Sequence, residues 1–212
     1  MYVPKHFAEA DDAKVRAMIE QNSFALVVSY PPDEAPYFNH LPVIFSSKEG
    51  EDEILIGHMA RRNPQRLHFQ KNPSCTIVVN GPHAYITPLW YKSGRDVPTW
   101  NYAAVHLTGR IELVENFAGQ IDTLKQLTKV FEGDGPDAWE FELPSDLLDA
   151  ESLTAAIVSF RFHIEKVDAK FKLSQNRPKE DRVGVIEGLA ARKDDLSRTV
   201  MDLMLRHETQ QG

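Results

Sequence analysis

The chain has 212 residues, 42% hydrophobic and 26% charged, a composition that fits one globular domain with extensions and excludes disordered and fibrous classes. Its 24 basic and 31 acidic side chains leave a net charge of −7, which argues against a broad nucleic-acid surface of clustered Lys and Arg. The apolar runs, Phe24 to Val28 for example, fall far short of the ~20 residues that span a bilayer. No basic start followed by an apolar stretch marks a signal peptide, so a cytoplasmic protein without membrane spans is expected.

In chain order, Asp11 or Asp12 caps a predicted helix in which Val15, Met18 and Ile19 recur at helical spacing. Phe24 to Tyr30 and Tyr37 to Phe45 read as two strands joined across the Pro31 to Glu34 turn. Ile54 to Gly57 is a third strand. A short helix from Pro64 to about Gln70 leads to a fourth, Cys75 to Asn80, in which the lone Cys75 reads as a small buried hydrophobe. Pro98 to Val114 alternates as a long strand, with Gly109 at a bend or bulge.

Phe117, Ile121, Leu124, Leu127 and Phe131 form the apolar stripe of a helix from Phe117 to Glu132. A further helix is expected from about Asp146 to Ala155, then a half-buried strand over Ile157 to Val167. Pro178 to about Ala191 and Leu196 to Arg206 read as helices. About six antiparallel strands with peripheral helices predict a mainly β fold, a barrel with α additions, because closure removes exposed strand edges. The whole chain reads as one domain: a barrel over 1–168 and a helical extension over 169–212. That extension carries a charge of +2 and the rest −9, so any anionic partner would favour the C-terminal end.

Three constellations could carry chemistry. In Gly57-His58-Met59-Ala60-Arg61-Arg62-Asn63-Pro64-Gln65, Asn63 is a strong N-cap type and Pro64 suits the first helical position. A helix start with two arginines beside it is a phosphate pocket in outline; the alternative is a pair of solvated loop residues. The second runs from Gly81 to Tyr102. Its five aromatics in eighteen residues, Tyr85, Trp90, Tyr91, Trp100 and Tyr102, stand among amide and hydroxyl groups, as a planar heterocycle requires, or as core and subunit interfaces require. The third, Lys170 to Pro178, gathers Lys172, Gln175 and Arg177 before a helix; a capping turn would not need all three donors.

No nucleophile elbow, phosphate loop, dinucleotide fingerprint or zinc-protease motif is present. The eight histidines lack the short spacings of a metal site, and only His58 and His106 stand beside the constellations.

Together, MYVPKHF, GHMARRNPQ, GPHAYITPLWY, VPTWNYAAVH and KFKLSQNRPKEDR resemble the PaiB-type FMN-binding negative transcriptional regulators, from residue 1 to about 190. The resemblance implies a flavin-binding split β-barrel, homodimers with FMN at the subunit interface, and transcriptional repression. The basic loop is also similar to the segment with which pyridoxamine-phosphate oxidases hold FMN phosphate. That implies a site with Asn39, His40 and Leu41 on a flavin-contacting strand, Arg61, Arg62 and Asn63 at the phosphate, His58 facing the ligand beside them, Trp100, Asn101 and Tyr102 near the ring, and Lys172, Gln175 and Arg177 closing it. The charge of −7 supports direct DNA binding only weakly, through the mildly basic C-terminal end; the other route to repression is indirect, through a protein or a metabolite. The alternatives are a flavin-dependent oxidoreductase, and a cofactor-free or haem-binding barrel with His58, His83 or His106 as axial ligand.

Overall fold

The computed structural model describes residues 1–48, 50, 53–94, 97–142, 152 and 154–209. Its strands are β1 (Phe24–Ser29), β2 (Tyr37–Pro42), β3 (Ile44–Phe45), β4 (Ile54–Ala60), β5 (Ser74–Ile86), β6 (Thr99–Val114) and β7 (Ile157–Lys172). Its helices are α1 (Asp12–Gln21), α2 (Gln65–Lys71), α3 (Phe117–Glu132), α4 (Lys179–Ala191) and α5 (Asp195–Thr209). The strands form one sheet in the order β2-β1-β5-β6-β7-β4-β3. Among the described residues, no helix is long and apolar enough to cross a membrane.

The chain divides into two compact units, Met1–Met18, Asn80–Val105 and Asp168–Gly212 in one, Ile19–Val79 and His106–Val167 in the other. In the second unit, β1 pairs antiparallel with β2 and β5, and β4 with β3 and β7. Alternation along these strands buries Val27, Leu55, Ile77, Val79, Leu107, Phe160 and Phe162 as the core. The sheet curls until the end of β2 meets β4: a Cβ on Gly57 would lie 2.8 Å from the Pro42 carbonyl oxygen and 2.6 Å from the Phe160 ring. Gly109 serves the same purpose between β6 and β7, where a Cβ would stand 2.0 Å from the His163 carbonyl oxygen. Helix α3 starts at Asn116, whose side chain accepts the Gly119 N–H, and ends at Gly133 in a positive-φ conformation. Leu127 of α3 packs with Ile44 and Ile56 on the outer side of β3 and β4.

In the first unit, Asp11 caps α1 by accepting the Ala13 and Lys14 N–H groups. Gly81 lets β5 run past α1: its Cβ would lie 2.5 Å from the Met18 sulfur. Helices α4 and α5 pack together, with Val185, Leu189, Val200 and Met204 buried. A short 3-10 turn, Pro88–Trp90, seats Trp90 on α4. Gly184 and Gly188, one helical turn apart, make room for it, since a Cβ on Gly188 would fall 2.2 Å from the indole. Arg192 covers the other part of that indole at 4.5 Å.

Seven strands replace the expected six because Val43, whose N–H bonds to the Ser23 carbonyl at 2.9 Å, separates β3 from β2. β5 continues six residues past the predicted end at Asn80, with Gly81 and Pro82 in buried strand. Of the helix expected over 146–155, residues 152, 154 and 155 are helical and the rest lies outside the described residues.

Candidate functional site

The basic loop of the second unit is built from its hydrogen bonds. Strand β4 ends at Ala60, and the Arg61 and Asn63 N–H groups bond to the carbonyls of Ala156 and Ala60, each at 2.9 Å. Pro64 adopts helical angles, φ −62° and ψ −21°, and the Asn63 side chain accepts the Gln65 N–H at 3.0 Å, so the capping read from the sequence operates. Helix α2 is only seven residues long, and its dipole is correspondingly small. Gln65 is fully buried. Its Oε1 accepts from Asn39 Nδ2 at 3.1 Å, and its Nε2 donates to the carbonyls of Val27 and Tyr37 at 3.0 and 3.3 Å. Asn39 Nδ2 also reaches Asn63 Oδ1 at 3.2 Å. Asn39, Asn63 and Gln65 thus form a closed polar lock between β2 and the loop.

The two arginines differ. Arg61 Nε donates to the Ala155 carbonyl at 2.8 Å and Nη1 to Glu115 Oε1 at 3.4 Å. Gln120, with its amide oxygen turned toward the guanidinium, accepts from Arg61 Nη2 at 2.9 Å and donates to the Thr154 carbonyl at 3.1 Å. Glu115 is shared with Arg66, 3.7 Å away. Arg62, the next residue, is exposed.

Strand β2 divides the predicted flavin contacts between two faces. Asn39 and Leu41 share the side that meets α2; His40 points to the other, where its ring stacks with Phe24 at 5.8 Å. Phe24 and Phe38 on that side are 68% and 57% exposed. His58 lies on the outer face of β4, directly opposite Ser159 of β7, and Leu127 of α3 packs at Ile56 beside it. His58 Nδ1 and Ser159 Oγ are both buried without a hydrogen-bond partner. Burial holds the His58 pKa below its ordinary value.

In the first unit, Trp100 is half exposed, with His83 at 6.0 Å and Tyr85 at 5.9 Å between ring centroids. Asn101 is fully buried and exchanges hydrogen bonds with Ser174 at 2.9 and 3.1 Å. That pairing holds Ser174 at φ 64°, a left-handed conformation rare for serine. Lys172 donates to the Thr99 hydroxyl and, at 2.6 Å, to the Trp100 carbonyl. Its pKa is depressed, first by burial and then by the charge of Lys170. Tyr102 lies under the Lys170 ammonium at 5.3 Å. Gln175 accepts the Leu173 N–H at 2.7 Å and donates to the Phe171 carbonyl, and Arg177 stacks on Tyr91 at 5.1 Å. The structure therefore brings together Asn39, Arg61, Arg62 and Asn63 in the second unit, and Trp100, Asn101 and Lys172 in the first.

Residues 1–166 match the family described as "Putative FMN-binding domain". The chain belongs to this FMN-binding family. It is similar to the Bacillus subtilis protein named protease synthase and sporulation protein PAI 2, with 34% identity over 96% of each chain. Among solved structures it resembles the flavocytochrome Anf3 of Azotobacter vinelandii (TM-score 0.59, 19% identity, 86% of this chain and 78% of that one). It also resembles the FAD- and haem-binding protein of Mycobacterium smegmatis (TM-score 0.60, 12% identity, 82% and 78%). The fold of this FMN-binding chain is thus the split β-barrel.

FMN presents a dianionic phosphate and a planar ring, and the donor chemistry of the second unit fits the phosphate. The exposed Arg62 guanidinium, on a loop braced by a buried amide lock, is a donor of the type that pairs with phosphate. Gln65, Glu115 and Gln120 escape a reading of the sequence. Nothing in one dimension separates the buried amide of Gln65 from an exposed one; only its place after Asn63-Pro64, in the first turn of a short helix, gives a signal. His83 and Tyr85, inside the aromatic constellation, gain weight from their contacts with Trp100.

Proposed function

We propose that this chain is an FMN-binding negative regulator of transcription that works as a homodimer, with the flavin at the subunit interface. The observation that carries the reading is membership of the FMN-binding family combined with an exposed Arg62 on a loop locked by Asn39, Asn63 and Gln65. Arg62 would meet the phosphate and β2 would run beside the flavin. The resemblance assigns Trp100, Asn101 and Tyr102 to the flavin ring and Lys172, Gln175 and Arg177 to the closure of the site. When bound, FMN supplies one- or two-electron redox chemistry, while the protein sets its orientation and surroundings. The exposed Phe24 and Phe38, beside His40 on an otherwise acidic chain, support a second copy as the cover of that sheet face.

Similarity to a protein named for protease synthesis and sporulation supports a regulatory role. The charge of −7 favours regulation through a protein or metabolite over a broad DNA contact. Two measurements test this reading. Light scattering with FMN present is expected to give twice the 24.1 kDa chain mass, and a single-chain mass would refute the dimer. Transcript counts in cells lacking the gene, and after its restoration, are expected to reveal a set that rises and then falls; an unchanged profile would refute repression.

A further inference from the structure

We infer that the paired arginines divide their work: Arg62 alone grips the phosphate and sets the preference for FMN over riboflavin, while Arg61 is a positioning residue that anchors the loop. The inference rests on the FMN reading above. The Arg61 guanidinium is tied to its surroundings, with Nε on the Ala155 carbonyl, Nη1 on Glu115 and, with the Gln120 amide turned as above, Nη2 on its oxygen. Three of its five N–H groups are thereby engaged, and the Glu115 carboxylate 3.4 Å from Nη1 would repel a phosphate that approached the other two. Arg62 is exposed and makes no hydrogen bond or ion pair among the described residues. The amide groups nearby add little: Asn63 Oδ1 and the Gln65 side chain are used within the lock. A seven-residue α2 is no anion site by itself. The sequence sets Arg61 and Arg62 side by side, and the structure makes them unequal: Arg61 is held by Ala155, Glu115 and Gln120, while Arg62 is exposed.

The test is the ratio of dissociation constants for riboflavin and FMN, read by flavin fluorescence on the whole chain, with melting temperature measured in parallel. The two ligands differ only in the phosphate, so the ratio isolates that contact from general damage to the fold. Arg62→Ala is expected to reduce the ratio roughly ten- to a hundredfold, the range of a charge-assisted pair, and to leave the melting temperature unchanged. Arg62→Lys should restore part of the ratio, since a point charge still attracts phosphate. Arg61→Gln is expected to lower the melting temperature by roughly 3 to 8 °C, while the ratio measured below its transition falls less than Arg62→Ala makes it fall. An unchanged ratio in Arg62→Ala, or a collapsed ratio with unchanged melting in Arg61→Gln, overturns the division. If the unaltered chain binds neither flavin, the FMN reading and the assigned grip both fail, whereas the anchoring role of Arg61 stands or falls on the melting temperatures.

Discussion

Gln65 and Asn39 share a hydrogen bond of 3.1 Å between two side-chain amides, and through it the basic loop is fastened to β2. Gln65 is the centre of this arrangement because it also satisfies the carbonyls of Val27 and Tyr37. Replacing it with Leu keeps much of the volume but strands those acceptors away from water. Urea unfolding of Gln65→Leu is expected to show a loss of about 2 to 4 kcal/mol; a loss below 0.5 kcal/mol would mean that the lock is not needed.

Gly109 admits a neighbouring backbone where no side chain fits. Gly109→Ala would drive a methyl group against the His163 carbonyl at 2.0 Å, and a destabilisation of about 1 to 3 kcal/mol is expected. Gly135→Ala is the control, since nothing lies within 4 Å of its Cβ, and it should stay within ~0.5 kcal/mol of the unaltered chain. Equal stabilities for the two variants would contradict the close approach of β6 and β7.

Gly188→Ala tests the seat of Trp90 on α4. With the indole 2.2 Å from the added methyl, Trp90 must leave its place and expose itself. The expected readout is a red shift of tryptophan emission together with a lower melting temperature. An unchanged spectrum would place Trp90 elsewhere.

His58 and Ser159 face each other as buried, unpartnered groups. Because burial lowers the His58 pKa in the folded chain, the unfolded chain binds the extra proton first. Stability is therefore lost as pH falls below ~6.5, the ordinary histidine value, toward the depressed one. His58→Gln should flatten the pH dependence of melting below ~6.5, and an undiminished slope would remove His58 as its source. Ser159→Ala removes an unsatisfied hydroxyl and is expected to be neutral or stabilising by up to ~1 kcal/mol.

Much of this arrangement was legible in the sequence wherever a local rule governs. The stripe of α3, the alternation in β6 and β7, and the Asn63-Pro64 start of α2 all follow from side-chain period and capping chemistry. What escaped depends on partners distant in sequence. Arg61 and Arg62 differ only because Ala155 and Glu115 lie where one of them can reach. Asn101, expected to meet a ligand, is buried against Ser174, 73 residues away. The run of β5 beyond Asn80 also escaped, and there Gly81 lies against Met18, 63 residues away.

The absorption spectrum of the purified protein, taken as isolated and again after addition of FMN and desalting, tests the central claim that this barrel holds FMN. The account predicts a two-band flavin spectrum that stays with the protein through desalting. A colourless protein from which all added FMN washes away would contradict it.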